Sequence, residues 1–232
     1  AGGNQQSGDT IKIGVNMELS GAVAAYGNQE KDGIEMAVAE INEAGGIDGK
    51  EIEIVMKDNK SDSTEAVSVT TSLTTKDKVV ALIGPATSAA VKSSLPNATK
   101  VKVPLVTPSG TDDSITIQND NVQPYAFRTC FQDSFQGKVL AVYATDTLKA
   151  KKAAILGDNS SDYAKGLTTA FKDAYEGEIT AEENFTKGDK DFQAVLTKIK
   201  DKEFDVLYLP GYYEETGLIT KQAREMGIEV PI

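Results

Sequence analysis

The chain has 232 residues, of which 40% are hydrophobic and 25% charged, and its formal net charge is −11. This balance is typical of a globular protein, and the length exceeds the ~100–200 residues usual for one domain, so two lobes are expected. The lysines are scattered, which excludes the basic surface that nucleic-acid binding requires. No apolar run approaches the ~18–20 residues needed to span a bilayer.

The first ten residues, 1–10, are mostly Gly, Gln, Ser and Asn and show no apolar periodicity. Such a segment is typical of a flexible tether, which would suit a protein held at a membrane by a removed or lipidated N-terminus. A frayed terminus or a cloning remnant explains the composition equally well. The single cysteine, Cys130, excludes an intrachain disulfide.

Short β-like runs alternate with amphipathic helical segments from residue 11 onward. In the first helix the apolar residues recur with a helical period and Gly45-Gly46 supplies the stop, while Asp62 or Ser63 is expected to cap the second helix. Strand and helix alternation implies parallel pairing through right-handed crossovers. The predicted strands are 11–17, 52–56, 79–83 and 104–106, and the predicted helices are 27–44, 64–75 and 88–100.

An irregular stretch, 109–121, precedes the apolar run 124–131, and we place the lobe boundary near 129–134. The second set contains helices 135–148, 164–174, 192–200 and 214–226 and strands 153–156, 178–185 and 206–210. The predicted fold is α/β: two doubly wound parallel-sheet lobes, 11–130 and 131–232. Ligand binding is expected in the crevice outside the carboxyl ends of the strands.

Several catalytic and metal motifs are missing. The chain has no histidine, which excludes Ser-His-Asp and Cys-His nucleophiles and histidine metal ligation. The run 45–50 lacks the Ser/Thr of a phosphate loop and precedes a strand, and no G-x-G-x-x-G occurs. Asp58, Asp62 and Glu65 lack the spacing of a calcium loop. We therefore predict no enzyme activity, no metal and no cofactor.

Two loops that follow strands carry groups suited to a zwitterion. The loop 84–88 leads into a helix with Thr87 or Ser88 at the N-cap, so backbone N–H groups point into the crevice and would bind a carboxylate. The loop 107–111 offers two hydroxyls and exposed carbonyls to an ammonium group. An ordinary Ser/Thr turn explains each loop equally well when it is taken alone.

Three tyrosines, Tyr26, Tyr163 and Tyr213, follow or face these strand ends. Together they would wall an apolar ligand side chain while their hydroxyls stay in contact with water. For any one of them, simple packing against neighbouring residues is the favoured alternative.

Taken together, the motifs of the chain resemble those of the leucine/isoleucine/valine-binding proteins of ABC importers, which belong to the type I periplasmic-binding class. The resemblance covers essentially the whole chain, in order. It is carried by LSGAVAAYG (19–27), INEAGGIDGK (41–50), IGPATS (83–88), PLVTPS (104–109), FQDSFQG (131–137) and PGYY (210–213).

The resemblance implies a role for each candidate residue. Ser88 matches the serine that binds the ligand carboxylate, while Ser109, by its backbone, and Thr111 match the ammonium contacts. Ala86 occupies a pocket position that is often leucine, and Tyr26, Tyr163 and Tyr213 match the pocket tyrosines. The family's acidic partner of the ammonium lies beyond residue 232, as does the segment that returns to complete both lobes, so the chain is expected to be C-terminally incomplete.

The expected function is therefore extracytoplasmic solute binding, either as a periplasmic protein or as a cell-surface lipoprotein with an N-terminal lipid anchor. A branched-chain or similar aliphatic amino acid would close the two lobes, and the closed form would deliver it to an ABC permease. The alternatives are a ligand-sensing module of the same fold and a binder of amides, urea-like solutes or aromatic amino acids.

Overall fold

Parallel strands and the helices that connect them form two units in the computed structural model, which describes residues 10–232. The first unit contains the described residues up to Gly110 together with Ile115–Cys130. The second contains Thr111–Ser114 and Phe131–Ile232. Thr111–Ser114 thus group with the second unit, although the chain on both sides of them belongs to the first. Residues 1–9 of the predicted tether lie outside the described residues.

A five-stranded sheet forms the first unit, with the order β2-β1-β3-β4-β7 and parallel pairing throughout. The chain leaves β1 for β2 on one side and then continues to β3 on the other, so the strand order reverses between β1 and β3. Such a switch point is where open α/β sheets bind ligands. The strands are β1 (Ile11–Met17), β2 (Ile52–Asp58), β3 (Ala81–Ile83), β4 (Leu105–Thr107) and β7 (Ala126–Arg128).

Apolar side chains cover both faces of this sheet. Val15 and Met17 of β1 pack in one cluster with Ile34 of helix α1, while Leu82 of β3 packs in another with Leu73 of helix α2. Burial on both faces is the mark of a doubly wound sheet. The helices are α1 (Ala24–Glu43), α2 (Ser63–Thr75) and α3 (Ser88–Lys100).

A small hairpin interrupts the chain between β4 and β7. Strands β5 (Ile117–Gln118) and β6 (Asn121–Val122) pair antiparallel, and both turn residues, Asn119 and Asp120, have positive φ. Two consecutive residues with positive φ are typical of the type I′ turn that joins tight hairpins. A short 3-10 helix, Asp113–Ile115, precedes the hairpin.

The second unit repeats this architecture around a three-stranded parallel sheet of order β10-β8-β9. Consecutive residues of β8 pack on opposite faces of the sheet: Ile155 lies in the cluster with Phe171, and Leu156 lies in the cluster with Leu196. The strands are β8 (Lys152–Asp158), β9 (Glu178–Phe185) and β10 (Val206–Tyr208). The helices are α4 (Asp133–Val142), α5 (Asp162–Ala174), α6 (Gln193–Lys200) and α7 (Tyr213–Glu225).

The predicted elements are present with small differences at their ends. Helix α3 has the predicted bounds, and Asp62 caps α2 by accepting the N–H of Glu65 at 2.9 Å. The predicted helix 135–148 instead ends its α-helical part at Val142 and continues as a π-helix, Tyr143–Thr147. The N–H of Leu148 donates to the carbonyl of Tyr143, five residues back, which is the bond that defines a π turn.

Candidate functional site

Glu18 lies at the switch point of the first unit, directly after β1, and is fully buried. Its Oε2 accepts the N–H of Ala86 at 2.9 Å, and its Oε1 accepts the N–H and the hydroxyl of Thr87 at 3.0 and 2.8 Å. Thr87 is the N-cap of α3. Glu18 therefore occupies two backbone donors that the sequence analysis expected to be open to a ligand.

Ser88 is the first residue of α3 and only 1% exposed. The first N–H groups of a helix have no acceptor inside it, and together with the helix dipole they favour an anion. With the N–H groups of Ala86 and Thr87 taken by Glu18, the first turn that begins at Ser88 is the remaining candidate position for an anion at this helix end.

The hydroxyl of Ser109 lies between two acceptors in the loop after β4. It is 2.9 Å from the carbonyl oxygen of Ala86 and within hydrogen-bond distance of Oε1 of Glu30, a residue of α1. Burial raises the pKa of Glu30, the bond from Ser109 lowers it, and the negative charge of Glu18 raises it further, with a net upward shift. One of these two acceptors is thus the backbone carbonyl of Ala86, a residue that is 3% exposed.

Thr107 fixes the start of the same loop. Its buried hydroxyl donates to the carbonyl of Pro85 at 2.7 Å and accepts the N–H of Gly110 at 2.8 Å, so the loops after β3 and β4 are tied together. Thr111 follows in the chain and groups with the second unit, where its carbonyl accepts the N–H of Asp133. Its side chain is 6% exposed, and its hydroxyl oxygen is buried with no hydrogen-bond partner.

Tyr26 lies in the first turns of α1, four residues before Glu30, so both side chains are on the same helix face. Its side chain is 38% exposed. The next residue, Gly27, lies against the end of β1: a Cβ added there would be 2.0 Å from the carbonyl oxygen of Glu18. The close approach of α1 to β1 thus positions both Tyr26 and Glu30.

The second unit places its tyrosines at its own switch point, between β8 and β10. Tyr163, at the start of α5, stacks on Tyr212 with ring centroids 5.1 Å apart. Tyr212 is the N-cap of α7, and Tyr213 is that helix's first residue and 39% exposed. The N–H of Asp158 donates to the carbonyl of Pro210, which ties the ends of the two strands together.

Three residues at these positions were missed by the sequence analysis: Glu18, Glu30 and Tyr212. Glu30 had a usable signal, since it lies four residues after Tyr26 on an amphipathic helix. Tyr212 is adjacent to Tyr213, and the choice between them depends on where α7 begins. Glu18 had no local signal, because its burial depends on β1 and β3 being neighbours.

Within residues 10–232, no three His, Cys, Asp or Glu side chains lie where they would hold a metal ion together. The helices of this part of the chain are also too short or too polar to cross a bilayer.

A family model described as periplasmic binding protein matches residues 10–232. Among curated proteins, the chain is 36% identical over 223 residues to "Leu/Ile/Val-binding protein homolog 3" of Brucella melitensis, covering 94% of this chain and 59% of that one. The resemblance drawn from the motifs is therefore confirmed.

Solved structures of solute-binding proteins also match the fold of this chain. The substrate-binding protein LivJ of a Streptococcus pneumoniae branched-chain amino-acid transporter, in complex with isoleucine, is 55% identical with a TM-score of 0.91, covering 97% of this chain and 63% of that one. A Rhodopseudomonas palustris solute-binding protein in complex with 3,4-dihydroxybenzoic acid is 26% identical with a TM-score of 0.82, covering 94% and 59%. The predicted fold class is confirmed. The chain spans about three fifths of the length of these relatives.

Proposed function

The chain belongs to the periplasmic binding protein family, and from this premise we propose that it binds a branched-chain or similar aliphatic amino acid for an ABC importer. It works outside the cytoplasmic membrane and delivers its ligand to the permease. The proposal rests above all on the switch point of the first unit, where the first turn of α3 at Ser88 is adjacent in the fold to the acceptors around Ser109.

The two ends of an amino acid have different requirements, and the first unit offers Ser88 for the carboxylate and Ser109 for the ammonium. We assign the ligand carboxylate to Ser88 and the first-turn N–H groups of α3. The ammonium is assigned to the backbone of Ser109 and the hydroxyl of Thr111. Charge-assisted hydrogen bonds contribute ~1.5–3 kcal/mol each, whereas one methylene in an apolar pocket is worth ~1–3 kcal/mol. We therefore expect binding to require both charged groups of the ligand, whereas a change in the ligand side chain should change the affinity only by degrees.

The ligand side chain is assigned to Ala86 and to aromatic contacts. A small residue at position 86 leaves room for a branched side chain, and the tyrosines provide ring surface with a polar rim. In the second unit, the Tyr163–Tyr212 stack supports the assignment of Tyr163 and adds Tyr212 to it. The proposed aromatic contacts are Tyr26, Tyr163, Tyr212 and Tyr213.

Isothermal titration of the protein, in the longest form that its gene encodes, tests the ligand class. Leucine, isoleucine and valine should bind, while isobutylamine, which lacks the carboxylate, should not. Binding of 3,4-dihydroxybenzoate alone would instead indicate an aromatic-carboxylate binder. Tight binding of isobutylamine with no response to leucine would contradict the assignment of Ser88.

Thr111→Val should raise stability and weaken leucine binding at the same time. Valine keeps the shape and removes a buried hydroxyl that has no partner, so unfolding should cost about 1 kcal/mol more. The same change removes a proposed ammonium contact, so leucine affinity should fall about tenfold. Thermal melting and calorimetry measure the two effects.

Thr107→Val is the matched control for this substitution. The hydroxyl of Thr107 is also buried, but it is bonded on both sides. Its removal should therefore lower stability, by about 1–3 kcal/mol. A Thr111→Val protein that is destabilised as much as Thr107→Val would show that the hydroxyl of Thr111 has a structural partner.

A further inference from the structure

We infer that Glu30 is a specificity-determining residue: its carboxylate makes the first unit select ligands that carry an ammonium group over carboxylic acids that lack one. The inference rests on the proposed function and adds to it an acidic group within the first unit. Three observations carry it: the hydrogen bonding of Ser109, the oxygen of Glu30 that has no hydrogen-bond partner, and the lack of any ion pair to Glu18 or Glu30 among the described residues.

Ser109 has one hydroxyl proton and two acceptors. When Glu30 is ionised, the hydroxyl donates to its Oε1. When the hydroxyl donates instead to the carbonyl of Ala86, Glu30 must carry the proton and donate to the oxygen of Ser109. Glu30 can therefore be ionised or protonated. The direction of the hydrogen bond between Glu30 and Ser109 differs between these two states.

The second oxygen of Glu30 is buried and has no hydrogen-bond partner. A carboxylate oxygen without a donor in a buried position is costly when the group is ionised. The carboxyl of Glu18 differs in this respect, since its two oxygens accept three hydrogen bonds. Oε2 of Glu30 is thus the acceptor that a ligand ammonium beside Ser109 would satisfy.

Within residues 10–232, neither Glu18 nor Glu30 forms an ion pair with a cationic side chain, and the lysine ion pairs there involve other acids. Burial and the charge of Glu18 both raise the pKa of Glu30. A cationic ligand group would supply the missing positive charge, whereas a ligand carboxylate placed there would be repelled.

Glu30→Gln tests the inference, because glutamine keeps the shape and a bond to Ser109 and removes the charge. The probes are leucine and 4-methylpentanoate, which is leucine without its ammonium group. Leucine affinity should fall about 10- to 100-fold in the variant, while 4-methylpentanoate affinity should stay the same or rise. Glu40→Gln, at an exposed position of the same helix, should leave both affinities unchanged.

The wild-type protein supplies a second measurement. Because an ammonium stabilises the ionised form of Glu30, leucine affinity should be constant above the raised pKa of Glu30 and fall as the pH drops through it. Among residues 10–232, the titratable group that acts on Glu30 is Glu18, at the end of β1, and Ser109 faces Glu30 from the loop after β4. In Glu30→Gln the acid limb of the profile should disappear.

The outcomes separate the two proposals. If the wild type binds leucine and Glu30→Gln binds it equally well, or if the variant loses both probes to the same extent, the role of Glu30 is wrong and the proposed function stands. If the wild type binds none of the amino acids, the proposed function and the role of Glu30 are both overturned.

Discussion

Gly27→Ala should destabilise the protein by about 3 kcal/mol, although alanine is the better helix former. A Cβ at this position would lie 2.0 Å from the carbonyl oxygen of Glu18 and 2.5 Å from its carbonyl carbon. Both are backbone atoms at the end of a central strand and have no freedom to move aside. Helix α1 must therefore shift away from β1, and Tyr26 and Glu30 must move with it, so leucine binding should weaken as well.

Gly33→Ala is the control on the same helix. Gly33 is exposed, and a Cβ there would have nothing within 4 Å. This variant should gain about 0.5–1 kcal/mol from the intrinsic preference of alanine for the helix and keep the wild-type affinity for leucine. Chemical denaturation and calorimetry of both variants provide the comparison. Equal stabilisation by the two substitutions would mean that α1 has room to approach β1 with a side chain in between.

Phe171→Ala should cost about 3–5 kcal/mol in the second unit. Phe171 is 1% exposed and stacks on two rings, with centroid distances of 5.1 Å to Tyr175 and 4.0 Å to Tyr208. Its removal would leave a cavity in the centre of a cluster that both α4 and α5 help to form. The matched control is Phe135→Ala, because the Phe135 ring is 61% exposed and its loss should change stability by less than about 0.5 kcal/mol.

Denaturant unfolding measures the loss of stability in Phe171→Ala, and the pKa of Tyr208 reports whether water enters the cavity. Burial raises the pKa of Tyr208 above its usual range, with smaller contributions from the charges of Tyr163 and Asp133. Water that enters the cavity would relieve the burial, so an absorbance titration of Phe171→Ala should show one tyrosine that ionises at lower pH than in the wild type. A variant with an unchanged titration and wild-type stability would show that the cluster closes around the missing ring.

Most of the fold could be predicted because its signals are local. Helix α3 has the predicted bounds since Gly84-Pro85 ends a buried strand and Thr87 and Ser88 are good helix-start residues. Asp62 caps α2 for the same reason. The π turn at Tyr143–Thr147 could not be predicted, because the spacing of the apolar residues there is the same as in a continuous α-helix.

The candidate site was less predictable because its key contacts join distant parts of the chain. The bond from Ser109 to Glu30 spans 79 residues, and the bond from Ala86 to Glu18 spans 68. Nothing in the neighbourhood of Glu18 distinguishes a fully buried carboxylate from an ordinary charged residue at a strand end. The loops that follow parallel strands could be identified as site segments from the strand pattern alone. Identifying Glu18 and Glu30 beside those loops would have required knowledge of the strand order.

The grouping of Thr111–Ser114 with the second unit has a consequence for synthesis on the ribosome. All five strands of the first sheet lie before residue 130, so at ~5–20 residues per second that sheet can assemble while the second unit is still being translated. The carbonyl of Thr111 and the carboxylate of Asp113 accept hydrogen bonds from the N–H groups of Asp133 and Ser134. These two bonds can therefore form only after residues 133 and 134 have been translated. The segment that carries the proposed ammonium contact therefore takes its final conformation only after the start of α4 has been made, and a nascent chain stalled before α4 would hold these five strands without that contact in place.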